Sequence, residues 1–135
     1  MQVFFYGLFM DEAILEKNGI QPSDPRLGYL DNYTLKIGNR ASLIPSEGDQ
    51  AWGLLMKVNP DAIQGLYAEP SVADYIPEEV IIHTASGESV EAFCYNLPLE
   101  LLSGEPNTGY ASALYDLGKV KGLPADYLAR IREMF

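Results

Sequence analysis

Three places in this 135-residue sequence carry residue types and spacings that could do chemistry. The first is Tyr6-Gly7-Leu8-Phe9, where an apolar run ends in glycine just ahead of an acidic helix start. A strand that turns into a helix at a glycine exposes several backbone N–H groups. Such a turn can hold a carboxylate or a developing oxyanion; read alone, it is a tight strand-to-helix connection. The second is Glu69, in Leu66-Tyr-Ala-Glu-Pro70, a carboxylate on a turn between apolar segments. Taken by itself it is a solvated loop acid, since Glu is mostly exposed. The third comprises His83 and Cys94, the single histidine and the single cysteine. His83 lies in Val80-Ile-Ile-His-Thr84 and reads as a paired or surface-facing strand residue. Cys94 lies in Ala92-Phe-Cys-Tyr95 and reads as core rather than nucleophile.

Those counts exclude whole classes of chemistry. One cysteine cannot form an intrachain disulfide, and a reducing cytoplasm is the expectation. One Cys and one His cannot supply a Cys/His zinc site, so no metal is expected. A Ser-His-Asp or Cys-His centre would have to use His83. Acid/base work near neutral pH otherwise falls to a carboxylate or another titratable group. Tyr67, Tyr75, Tyr95, Tyr110 and Tyr115 add a supply of phenols, which pack with the hydroxyl at a wet edge or line a polar pocket.

Nine basic against nineteen acidic residues leave a net charge of −10. That argues against a nucleic-acid or anionic-membrane surface, both of which want clustered Lys and Arg. It favours solubility in any oligomeric state, which the sequence leaves open. Residues 1–10 are apolar but far short of the ~20 needed to span a bilayer. They lack a basic n-region, and Asp11 and Glu12 follow at once. The stretch reads as the first buried strand of a cytoplasmic protein.

The elements that must position these residues follow from pattern. Val3–Tyr6 suits a buried strand, and Asp11–Lys17 a short helix with acids in its first turn and Asn18-Gly19 at its end. Pro22–Pro25 marks a loop. Tyr33, Leu35 and Ile37 alternate with polar residues as in a half-buried strand, and Ala41–Ile44 is another strand candidate. Pro45–Gln50 is turn chemistry, and Ala51–Val58 a central strand. Asn59-Pro60-Asp61 caps and opens a helix to about Leu66. Val80–Thr84 and Val90–Tyr95 form a strand pair. Asn107 or Thr108 caps a helix carrying Ala111, Leu114, Leu117 and Val120 at helical spacing; Gly122-Leu-Pro124 breaks it and opens a last helix through Arg132. No linker, repeat or charge block divides residues 1–135, so one domain is expected. The order is not regular βα alternation. An α+β fold, a small mixed barrel or sheet flanked by short helices, fits it.

In order and spacing these segments resemble the gamma-glutamylcyclotransferase-like family, which includes the AIG2-like proteins. Val3-Phe-Phe-Tyr-Gly-Leu-Phe9 stands at that family's opening strand and Tyr-Gly turn, and Leu30-Asp-Asn-Tyr-Thr-Leu35 at its Leu-x-x-Tyr/Phe-x-Leu strand. Ala51-Trp-Gly-Leu-Leu-Met56 stands at its Gly-bearing central strand, Leu66-Tyr-Ala-Glu69 at its helix end, and Gly122-Leu-Pro-Ala-Asp-Tyr127 at its C-terminal helix entry. Leu8 replaces the usual Ser or Thr, which keeps backbone donors but removes a hydroxyl. Tyr67 replaces the usual Asp. Strict register puts Pro70 at the acid position, one residue past Glu69, with Glu78 and Glu79 as further carboxylates nearby.

The resemblance implies a fold of a small mixed β-barrel with short helices. It also implies an intramolecular cyclisation that releases 5-oxoproline and a free amine from a small γ-glutamyl compound, with no cofactor. In that chemistry the nucleophile is the substrate's own amine. By the same resemblance Glu69 is the acid/base, the Tyr6-Gly7-Leu8-Phe9 backbone binds the oxyanion, and Tyr75 and Tyr110 bind the substrate carboxylate. The alternative is a non-catalytic protein binding γ-glutamyl-like ligands on the same fold.

Overall fold

A computed structural model describes all residues, Met1–Phe135. Five strands close into a barrel in the order β1-β3-β2-β4-β5. They are β1 (Gln2–Phe5), β2 (Ser23–Ile37), β3 (Ala41–Lys57), β4 (Ile76–Thr84) and β5 (Ser89–Asn96). Four helices flank them: α1 (Glu12–Lys17), α2 (Pro60–Leu66), α3 (Thr108–Lys121) and α4 (Ala125–Arg132). The expected α+β barrel with short helices is what forms. No helix is long and apolar enough to cross a membrane.

The barrel closes where β1 runs parallel to β5, with Val3 opposite Phe93. Every other pairing is antiparallel. Alternation sorts β5 cleanly: Ala92, Cys94 and Asn96 are buried, while Phe93 and Tyr95 on the other face are only half-buried. Cys94 is fully buried, as a core cysteine should be. Val3, Phe4, Leu55, Met56 and Ile82 are each buried to within 1 % and anchor the same core.

Local capping explains the helices. Asp11 accepts from the Ala13 N–H at 3.0 Å and opens α1. Asn59 accepts from Asp61 and Ala62, and Pro60 takes the first position of α2, where its missing N–H costs nothing. Asn107 accepts from the Tyr110 N–H and opens α3; Gly122, at φ +84, closes it in a left-handed cap that L side chains rarely adopt.

The β2–β3 hairpin corrects the sequence reading. Pro45–Gln50 is not the turn between two strands, and Ser23–Pro25 is not loop. β3 runs unbroken from Ala41 to Lys57, and the chain reverses at residues 38–40. The turn chemistry instead makes a bulge. Asp31 faces Gln50 and Tyr33 faces Pro45, so the register slips by several residues. Asn32 at φ +64 and Gly48 at φ +84 absorb that slip. The Gly48 N–H donates to the Asn32 side chain at 3.0 Å.

Candidate functional site

The Tyr6-Gly7-Leu8-Phe9 segment leaves the end of β1 and enters a single helical turn, Leu8–Met10, which leads into α1. Beside it lies a cavity of about 290 Å³. The turn forms one wall. Tyr75 precedes β4, Tyr95 lies near the end of β5, Ala41 starts β3, and Tyr67 ends α2; all of them line it. Tyr110, in the first turn of α3, completes the ring. Six of the seven residues expected at the site, Tyr6, Gly7, Leu8, Phe9, Tyr75 and Tyr110, therefore meet around one hollow.

Glu69 is the seventh, and the structure does not bring it into that wall. It is exposed, on the loop between α2 and β4. Its neighbours on either side do line the cavity: Tyr67, and Val72, whose N–H donates to the Glu69 carbonyl at 3.0 Å. Glu69 thus sits on a segment anchored at both ends in the cavity wall, with its side chain outside.

The phenols divide by where their protons go, because a hydroxyl has one proton to give and lone pairs to accept with. Tyr6 donates to the Tyr95 carbonyl at 2.7 Å. Tyr75 donates to the Ala41 carbonyl at 2.6 Å. Both offer the cavity only lone pairs and ring faces. Tyr110 instead accepts, from the Leu8 N–H at 3.2 Å, so its proton stays available. Burial raises the Tyr110 pKa, with the Leu8 hydrogen bond opposing, and keeps it a donor. Burial also pushes Tyr75 up to about 12, helped by Tyr110 and opposed by Arg40. Tyr6 and Tyr67 are raised well above the ordinary value, burial again being the largest cause.

The hydrogen bonds at the turn and at Tyr75 differ from expectation. The Leu8 N–H is already committed to Tyr110, so the turn amides left without a partner in the protein are those of Tyr6, Gly7 and Phe9. Tyr75 has no proton left for a carboxylate, whereas Tyr110 does. Gly7 lets Tyr110 approach the turn closely: a methyl group there would overlap the phenol's hydroxyl and push it aside.

Tyr67 and Tyr95, named in the sequence only among the phenols that could line a pocket, are in the wall, together with Val72, Ile14 and Ala41, which the sequence does not single out. Tyr67 stacks flat on Tyr95, rings 3.9 Å apart at 4°. Phe9 meets Tyr67 edge-on at 6.1 Å. Alternation with buried Cys94 and Asn96 puts Tyr95 on the outer face of β5, a signal that could have found it. His83 stays away from the hollow. Its Nε2 lies 3.3 Å from the Asp31 carboxylate and its Nδ1 3.1 Å from Ser89. That is the paired strand histidine the sequence suggested.

The sequence profile of the AIG2-like family matches residues 50–131, more than half of the chain. The chain belongs to the AIG2-like family. Its relatives include bovine gamma-glutamylcyclotransferase, 26 % identical over 99 residues that make up 72 % of this chain and 52 % of the relative. Human gamma-glutamylcyclotransferase is 27 % identical over 97 residues, 70 % of this chain and 51 % of the relative. The AIG2-like chain thus spans about half the length of these curated relatives. A solved structure of a gamma-glutamyl cyclotransferase superposes with a TM-score of 0.85 at 20 % identity, covering 100 % of this chain and 88 % of that one. At that identity the likeness establishes the AIG2-like fold.

Proposed function

We propose that this AIG2-like protein binds a small γ-glutamyl amine in the tyrosine-lined cavity and cyclises it to 5-oxoproline, releasing the amine. The observation that carries the reading is the meeting of the Gly7 turn, with free Gly7 and Phe9 amides, and the available Tyr110 proton around one hollow. Family membership and the similarity to gamma-glutamylcyclotransferases support it.

The chemistry asks little of the protein. The substrate's α-nitrogen attacks its own γ-carbonyl carbon, a C–N bond forms, and the carbonyl oxygen becomes an oxyanion. The amide C–N bond then breaks, and the leaving nitrogen needs a proton. Folding the substrate so that nitrogen and carbonyl are at attack distance supplies much of the rate. The Gly7 and Phe9 amides and Tyr110 hydrogen-bond the oxyanion. Glu69, from the rim, takes the α-ammonium proton and returns one to the leaving amine.

The absence of any carboxylate from the wall favours a second reading, ligand binding without turnover. Mass spectrometry of 5-oxoproline released from a panel of γ-glutamyl amines separates the two. Turnover by the wild type, reduced about 10²–10⁴-fold in Glu69→Gln, is the expected result. Equal release by that variant removes Glu69 from the mechanism. Binding with no release establishes the second reading.

A further inference from the structure

The unpartnered Tyr6, Gly7 and Phe9 amides and the Tyr110 proton give the turn enough donors to hold a carboxylate. The amino-acid head of a γ-glutamyl compound is thus provided for inside the hollow. What the wall leaves unserved is the group on the far side of the γ-carbonyl, the amine that departs. No basic side chain lines the cavity. Arg40 stands at its edge: it precedes the wall residue Ala41, and its guanidinium lies 5.9 Å from the ring centroid of Tyr75, another wall residue.

The turn that carries Arg40 is tied down at several points. The Gly38 N–H donates to the Arg40 carbonyl at 2.9 Å, the Asn39 N–H to the Ser103 hydroxyl at 3.1 Å, and the Asn107 N–H to the Gly38 carbonyl at 2.7 Å. Asn107 is also the residue whose side chain accepts from the Tyr110 N–H and opens α3. One residue therefore joins the Arg40 turn to the helix start that presents Tyr110 to the cavity. The guanidinium itself makes a single hydrogen bond, from Nη1 to the Asp74 carboxylate at 3.2 Å. Arginine carries five N–H donors in a planar fork that matches a carboxylate, so an edge of the fork is left for a ligand. With its side chain only 28 % exposed, Arg40 is less screened by water than a free surface cation.

Resting on the cyclotransferase reading, we propose that Arg40 is a specificity-determining residue at the edge of the cavity. It pairs with a carboxylate carried next to the departing nitrogen, and so favours γ-glutamyl compounds of α-amino acids over those of amines without a carboxylate. Asp74 competes for the same cation and sets how strongly the preference shows. The test compares γ-glutamyl-alanine with γ-glutamyl-ethylamine, which is the same compound without the second carboxylate, following 5-oxoproline release and binding by calorimetry. The two departing nitrogens differ in basicity, and Arg40→Gln leaves that difference in place while removing the cation. The ratio of the alanine to the ethylamine compound in kcat/KM should therefore be about fivefold larger in the wild type than in Arg40→Gln, the upper end of what a partly solvated ion pair contributes. In the wild type it should shrink in 1 M salt. Asp74→Asn, at an exposed loop position, should widen the ratio, because the guanidinium then has no competing carboxylate.

Release with a ratio that neither substitution moves overturns this inference and leaves the cyclotransferase reading standing. Binding without release, with the binding ratio falling in Arg40→Gln, overturns the enzyme and keeps Arg40 as the carboxylate's partner. Neither release nor binding of either compound overturns both.

Discussion

The two ends of the β4–β5 hairpin are both aromatic, yet they do opposite things with charge. At one end Tyr67 stacks on Tyr95, with Tyr75 beside them, around a hollow without a charged side chain. At the other, Tyr29 packs on Trp52 at 4.9 Å and on His83 at 5.3 Å, and His83 meets the exposed Asp31. The only histidine is therefore spent away from the tyrosine-lined hollow. Proton transfer in the hollow is left to a phenol or to a carboxylate reaching in from the rim. Neutral, preorganised groups that face away from water can stabilise developing charge without paying to reorganise. The solvated pair at the other end gains little from its charges, because water screens them.

A glycine at each end makes the contrast measurable. At the cavity end, the side chain that Gly7→Ala would meet is the tip of Tyr110. The phenol would swing aside, break its hydrogen bond from Leu8 and lose its aim. We expect 5-oxoproline release to fall by about 10²-fold, the scale of one lost oxyanion donor, with a thermal midpoint close to wild type. Normal turnover in a folded Gly7→Ala would remove the turn from the mechanism. At the His83 end, a methyl on Gly28 would stand 2.9 Å from the His83 carbonyl and 2.9 Å from the Ile82 side chain. Backbone cannot move aside as a phenol can. Gly28→Ala should cost about 1–3 kcal/mol in urea denaturation, as overpacking does, while turnover per folded molecule is retained. Reversed phenotypes would mean that the cavity end is structural and the His83 end functional.

How much of this was legible depends on how local each cause is. The N-cap Asn59 and the Pro60 after it act within one helical turn, and α2 ends at Leu66, close to where its pattern puts the end. The β2–β3 hairpin was misread because Pro45–Gln50 has turn composition in either outcome. A partner strand that pairs on both sides of residues 46–49 converts a turn into a bulge. The Gly7 turn, Tyr75 and Tyr110 were found through the family pattern. Tyr67 entered only as one of five phenols, and Val72 and Ala41 not at all, because the packing of the α2–β4 segment and the start of β3 against the Gly7 turn is tertiary and leaves no local pattern. The exposed Glu69 side chain belongs to the same class, since a loop acid's direction is set by packing and not by spacing.

Tyr75 sharpens the comparison through pH. Below pH 10 both folded and unfolded chains keep the phenolic proton, so its contribution to stability is fully present. Between pH 10 and about 12 the unfolded chain loses that proton while the folded one retains it. The folded state then carries more protons, and stability falls as pH rises. Tyr75→Phe removes the hydrogen bond to Ala41 and should cost about 0.5–1.5 kcal/mol at pH 9. Because phenylalanine does not titrate, the gap to wild type should narrow by pH 11 in paired urea titrations. A gap that holds or widens would mean that the Tyr75 hydroxyl is not held as a donor in the folded chain.

The smallest effect belongs to the charged end. Asp31→Asn removes one partner of the His83 pair but leaves a side chain able to accept a hydrogen bond. With both groups partly exposed, at 35 % and 47 %, the pair should be worth about 0–1 kcal/mol. Measured at pH 5, where an imidazole is charged, the loss should shrink further in 1 M salt. At the cavity end, Tyr75→Phe breaks a hydrogen bond between a partly buried phenol and a buried strand, which salt does not screen. Its cost should be the same at both salt concentrations. A salt-sensitive Tyr75→Phe beside a salt-insensitive Asp31→Asn would invert the assignment of neutral and ionic ends. The stability of the hollow would then rest on long-range charge, with Arg40 and Asp74 at its rim as the first residues to replace.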